Sequence, residues 1–336
     1  MRKNNDIVYI IDSKQVEGTL VLVTNDGTSC EVISERSSGF FINAYGSSSI
    51  DRALIWCDDS KCNLSSATDG YYINSEISEG LPEALIKCAN DIGCSKIDAT
   101  NGYYINNAVS YSIVDSLIKC DDDGCNTING EGSIYLNNGV TTSLNNALIS
   151  CNGKQCSLIN GKDGYYLNSG GSTFETDILI KCENNKCSST SGSENGYFIN
   201  NAVSNSLKNG LIICDSIQCN LATANANDIY LYAMENNKLI QCLSIKCSYL
   251  SKVWENDHPS YYRNSAIAIS DNYENQLIIC NSNGCSIQNG EDNHSYDNGN
   301  YDSNGEIGDK SHQGILCRNR NCELVLDLKD GNLLNI

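Results

Sequence analysis

Histidine, tryptophan, methionine and proline are nearly missing: three, two, two and two residues in a chain of 336. The histidines, His258, His294 and His312, sit among Asn, Asp and Ser and match no metalloprotease or haem motif, so they read as solvent-exposed loop residues. No phosphate-binding glycine loop occurs either. Cations are outnumbered, with 22 Lys+Arg against 41 Asp+Glu and a formal charge of −19. Such a chain lacks the basic face that nucleic acid or an anionic membrane requires. The excess acid reads as solubility, with an acidic rim for a basic partner as the alternative. No apolar run approaches the roughly 20 residues of a membrane span, and no window of helical period is long enough to matter. The N-terminal apolar run, Ile7 to Ile11, falls short of a signal h-region of about 7–15 residues. The 19 cysteines nevertheless suggest an oxidising compartment. Together these observations lead us to expect a piece of a longer secreted protein.

What the chain has in abundance is repeated. An aromatic motif, Gly-Tyr-Tyr-Ile-Asn in its clearest form, begins at Gly39, Gly70, Gly102, Ser133, Gly164, Gly196 and Asp228, in steps of 31 or 32 residues. Cysteine pairs follow at the same period: Cys57–Cys62, Cys88–Cys94, Cys120–Cys125, Cys151–Cys156, Cys182–Cys187, Cys214–Cys219, Cys242–Cys247, Cys280–Cys285 and Cys317–Cys322. All enclose four residues except Cys88–Cys94, which encloses five. The remaining cysteine, Cys30, has Asn25 where its partner would stand, so residues 1–38 read as a degenerate or capping repeat. Residues 39–250 form the regular array. Residues 251–336 are irregular, and Asn, Asp, Gly and Ser over 288–313 read as a long exposed loop.

Each repeat holds three short apolar runs bounded by Gly, Asn, Asp or Ser, which are strand and turn signals. A unit of about 31 residues cannot bury its own face, whereas stacked units can. The expected fold is all-β: a solenoid of about ten disulfide-clasped units, each coil adding one ladder step of about 4.8 Å. The alternative is a chain of antiparallel β-hairpin repeats, each clasp joining two arms of one hairpin. Short clasps across tight turns read as disulfides. All-cysteine zinc sites are the rival, and a thiol count on unfolded, unreduced protein separates the two. Asp121-Asp122-Asp123-Gly124 lacks the spacing and closing Glu of a calcium loop. No catalytic residue, metal ligand or cofactor is assigned. Two sequons occur, Asn63-Leu64-Ser65 and Asn293-His294-Ser295.

Alternation in the aromatic strand predicts its facing. The first aromatic position admits isoleucine, as at Ile134 and Ile229, and reads as core. The second is always aromatic and shares its face with asparagine. Tyr72, Tyr104, Tyr135 and Tyr166, with Asn74, Asn106, Asn137 and Asn168, are therefore expected to form an outward ladder of stacked rings beside stacked amides. These eight residues are the candidate binding residues. Leu85 and Lys87 share parity, as do Leu117 and Lys119, so the face of that strand is both apolar and charged.

The combination of Gly-Tyr-Tyr-Ile/Leu-Asn, Ala-Leu-Ile-Lys-Cys or a close variant, and a second cysteine, at a period of 31–32, resembles the repeats of scaffoldins from anaerobic gut fungi. The resemblance covers residues 39–250 well and the ends less well. It implies an extracellular, non-catalytic scaffold whose repeats act as cohesins, gripping dockerin domains of cellulases and hemicellulases. The chain is far shorter than a whole scaffoldin. The alternative is a carbohydrate- or cell-wall-binding module using an exposed tyrosine ladder, although bacterial repeats of that kind are shorter, rich in tryptophan and free of cysteine.

Overall fold

The computed structural model describes residues 6–10, 19–23, 30–32, 38–58, 61–77, 79–109, 111–132, 134–171, 177–192, 196–203, 205–215, 217–233, 238–250, 259–266, 274–299, 314–319 and 321–325. Every regular element among them is a strand, and they form ten three-stranded sheets, each built from three consecutive strands in sequence order. We number these sheets as repeats 1 to 10. Their first strands are Asp6–Ile10, Gly39–Ile42, Gly70–Ile73, Gly102–Ile105, Ile134–Leu136, Gly164–Leu167, Gly196–Ile199, Ile229–Leu231, Ser260–Arg263 and His294–Asp297. No helix among the described residues is long and apolar enough to cross a membrane.

Repeat 4 shows the plan. Gly102–Ile105 pairs antiparallel with Leu117–Asp121, which pairs antiparallel with Gly124–Ile128. The chain turns back between the second and third strands at Asp122-Asp123, which places Cys120 directly opposite Cys125. The clasp is thus a cross-strand disulfide inside one hairpin, with Cα atoms 4.1 Å apart. The other described clasps repeat it, and Cys182 and Cys187 are likewise disulfide-bonded. In repeat 3 the extra residue lengthens the turn to Asn90-Asp91-Ile92, and Gly93, paired with Ala89, follows it with a φ of +91°. A Cβ there would sit 1.9 Å from the Ser47 carbonyl oxygen of repeat 2.

Strands within a repeat thus run as antiparallel hairpins, the alternative reading of the sequence, and coils do not add one parallel rung each. Parallel contact between repeats is limited to single bridges such as Tyr71↔Asn106 and Tyr103↔Asn137. Most burial comes from face-to-back packing. Leu85, Tyr71 and Ala99 of repeat 3 pack against Tyr104, Ile118 and Cys120 of repeat 4. Leu117 of repeat 4 meets Tyr135, Ile149 and Cys151 of repeat 5. Leu277 of repeat 9 meets Tyr296, Ile315 and the Cys317–Cys322 clasp of repeat 10. We call the Leu-bearing side of each sheet its forward face and the clasp-bearing side its rear face. Each leucine buried this way contributes about 1.5–3 kcal/mol, and the sulfurs fill the same interface.

This packing explains the mixed strand face. Leu85 is fully buried under repeat 4, while Lys87, two residues nearer the turn, is exposed. Two other sequence expectations change. In repeat 1 the residue opposite Cys30 is Val23, because the register and not a four-residue spacing sets the pair. Asn25 lies outside the described residues. Within 288–313, His294–Asp297 is the first strand of repeat 10 and not loop, since Tyr296 fills the same buried position as Tyr104. Residues 300–313 are outside the described set, as are His258 and His312. By contacts the chain splits into two compact units, Met1–Gly161 with Asn184–Ser188, and Lys162–Glu183 with Ser189–Ile336.

Candidate interaction surface

The eight residues expected on the outside are inside. Tyr72, Tyr104, Tyr135 and Tyr166 are each 2–3% exposed, and Asn74, Asn106, Asn137 and Asn168 are buried with them. The reason is the stacking. The aromatic strand lies where the repeats before and behind both reach it, while the turn end of the forward face stays wet at Lys87 and Ser95. The second ring of one repeat packs against the first ring of the repeat before it: Tyr72 on Phe40 at 5.2 Å, Tyr104 on Tyr71 at 5.1 Å and Tyr135 on Tyr103 at 5.1 Å. These are tilted pairs between unlike positions, not a ladder of equivalent tyrosines. The hydroxyls turn back on their own chain. Tyr72, Tyr104 and Tyr166 Oη accept from the amides of Thr68, Thr100 and Lys162 at 2.8, 3.0 and 2.9 Å.

The asparagines do not stack either. Asn106 Nδ2 donates to the Asp115 carbonyl at 2.7 Å, and its Oδ1 accepts from the Ala108 amide at 3.1 Å. Asn74, Asn137 and Asn168 make the same bonds to Glu83, Asn146 and Asp177. Each pins the loop that joins the first two strands of its own repeat. The residue gripped is left-handed, with φ of +56°, +52° and +57° at Glu83, Asp115 and Asn146. Its amide is held from the other side by a polar residue just after the third strand, as Asp115 is by Asn129 Oδ1 at 3.2 Å. Sequence reasoning passed over that residue. It also passed over the second asparagine of the motif, which splices repeats together. Asn138 Oδ1 accepts from the Tyr103 amide at 3.1 Å and its Nδ2 donates to the Asn101 carbonyl at 2.8 Å. The close approach requires glycine at 102, where φ is +138° and a Cβ would lie 2.2 Å from the Asn138 side chain.

What faces solvent is a different set. In the first compact unit the third position of Leu-Ile-x-Cys reads Trp56, Lys87, Lys119 and Ser150. Its cross-strand neighbours on one side are Phe40, Tyr71, Tyr103 and Ile134. On the other side stand Asn63, Ser95, Asn126 and Ser157, all exposed. Lys87 Nζ lies 5.6 Å from the Tyr71 ring centre, within cation–π range. In the second unit Lys181 stands 6.0 Å from the Tyr165 ring and 2.8 Å from Glu183, whose hydrogen bond holds the lysine pKa above its ordinary value. Tyr45 and Tyr111 project from two loops of the first unit, almost wholly exposed. Positions constant along the array are thus buried, and the exposed ones vary from repeat to repeat. An open acidic cleft lies where the repeat 3 loop meets the repeat 4 turn, lined by Glu79, Gly80, Asp122 and Asp123. No cluster of three or more metal-ligating groups occurs among the described residues. Both sequon asparagines, Asn63 and Asn293, are exposed. Comparison with known protein families, curated proteins and solved structures finds no match.

Proposed function

We propose that this chain is a non-catalytic extracellular scaffold, and that its repeats bind dockerin-bearing enzymes that degrade plant cell walls. One observation carries the reading: a buried frame of leucine, ring and clasp, recurring in repeats 2 to 9, presents a varied exposed row. A frame of that kind displays binding positions, and multiple display raises avidity and local enzyme concentration without new contacts. The contact surface moves from the buried tyrosines to Trp56, Lys87 and Lys119 with their Ser and Asn neighbours. We read the stacking within each compact unit as a solenoid. Clasps of this number suit a secreted or cell-surface setting. The carbohydrate-binding alternative loses its platform, because the rings of Tyr72, Tyr104, Tyr135 and Tyr166 are buried.

The test is a titration of one purified fungal-type dockerin against the chain, read as stoichiometry. Several dockerins per chain, weakened by Lys87→Ala with Lys119→Ala, is the expected result. No binding at any concentration up to millimolar, or binding that those substitutions leave unchanged, sinks the proposal. Sedimentation with cellulose in the absence of dockerin would move the reading to a polysaccharide.

A further inference from the structure

We infer that repeat 10 is a terminating cap: its forward face is built to refuse a further repeat, whether in the same chain or from a second copy. The two faces of this repeat have parted company. Its rear face keeps the whole pattern. Tyr296 packs on Tyr261 at 4.8 Å, and Ile315 with Cys317 and Cys322 is buried against Leu277. Its forward face has lost the leucine and both side chains of the aromatic strand, and keeps only Leu316 and Val325 as half-buried apolar groups. The leucine that opens the central strand of repeats 2 to 9, from Leu54 to Leu277, is fully buried each time, and its place is taken by Gly314. The first aromatic position, which holds Phe, Tyr or Ile from Phe40 to Tyr261, becomes Ser295. The third, which holds Ile or Leu in repeats 2 to 8 and Arg263 in repeat 9, becomes an exposed Asp297. Loss of one face alone, with the other intact, is the mark of an end and not of general decay. Face-to-back stacking joins unlike surfaces and so has no built-in limit, and repeat proteins close such arrays with a polar outer face.

A copy of repeat 4, residues 98–129, inserted after Val325 at the natural spacing tests this by hydrogen exchange on the full chain. On the wild-type cap, the inserted amides are expected to exchange without protection. With Ser295→Tyr, Asp297→Ile and Gly314→Leu together, the inserted repeat should gain the protection of its parent. The same copy inserted in place, after Asn129, should be protected without any substitution. This comparison decides the matter even if the triple variant fails to fold. Full protection on the wild-type cap overturns the inference. So does an absence of protection on a folded triple variant.

Discussion

Repeats 4 and 8 solve one problem in two ways. In repeat 4 a long loop joins the first two strands, and the buried Asn106 side chain closes it onto the left-handed Asp115. In repeat 8 the loop is shorter, and the asparagine position holds Tyr232. Its ring stands in place of the amide pin, packed edge-on against Phe198 at 6.1 Å and Tyr249 at 4.9 Å. The splice changes with it. Asn107 grips repeat 3 through both backbone and side chain, whereas Ala233 keeps only the backbone bond to Tyr197, at 3.2 Å. The ring anchor differs too: Tyr104 Oη bonds a backbone amide, while Tyr230 Oη donates to the Asp228 carboxylate at 2.7 Å. The position that closes the repeat 4 loop is a hydrogen-bonding amide. In repeat 8 the same position is closed by a packed ring.

The comparison breaks hardest at the rings. Tyr104→Ala and Tyr230→Ala should each cost about 3–5 kcal/mol, as large-to-small core changes do, read by urea unfolding. Equal loss in both repeats is expected, because both rings fill the same face-to-back interface. A smaller step is Asn106→Ala, expected to cost about 1–3 kcal/mol by removing the buried amide that bonds the Asp115 carbonyl and the Ala108 amide. Tyr232→Asn should also destabilise repeat 8, because it removes the ring packed against Phe198 and Tyr249. A stabilising outcome there would overturn this account. Tyr104→Phe should cost only about 0.5–1.5 kcal/mol, the net worth of a hydrogen bond.

The pH dependence sharpens the same contrast. Burial, with Asp228 close by, pushes the Tyr230 hydroxyl well above its ordinary value, and burial with the neighbouring phenols Tyr249 and Tyr165 does the same for Tyr232. Desolvation also raises Tyr135, Tyr166, Tyr197 and Tyr296. A raised folded-state value means that the folded chain holds its protons more tightly. That stability is fully present below about pH 10, the free tyrosine value, and is lost as pH rises beyond it. Urea midpoints measured from pH 9 upward should be level and then fall, and less steeply in Tyr232→Phe. Smallest of all is Lys119→Ala. At an exposed site with a 3.6 Å ion pair to Asp121 it should change stability by less than about 0.5 kcal/mol. Its effect belongs to partner binding.

Much of this was legible beforehand. The glycine-bounded runs marked the strands, and two cysteines flanking a tight turn marked each hairpin. The exposure of Lys87 beside a buried Leu85 was legible as a conflict but not as an answer. The candidate site was read to the wrong side of the wall. The second ring, aromatic at every repeat from Phe41 to Tyr230, is constant because it is packed between repeats.

The sequence by itself determined the period, the three strands, the clasps and which side chains share a face, because these depend on local geometry and alternation along one strand. Only the tertiary structure decided that the second ring of the aromatic strand is buried and that Asn106 and Asn107 have different duties. It also decided which face of repeat 10 lacks the stacking leucine and ring. Those properties arise between sheets, and the two-residue period of a strand says which residues point together without saying what stands opposite them.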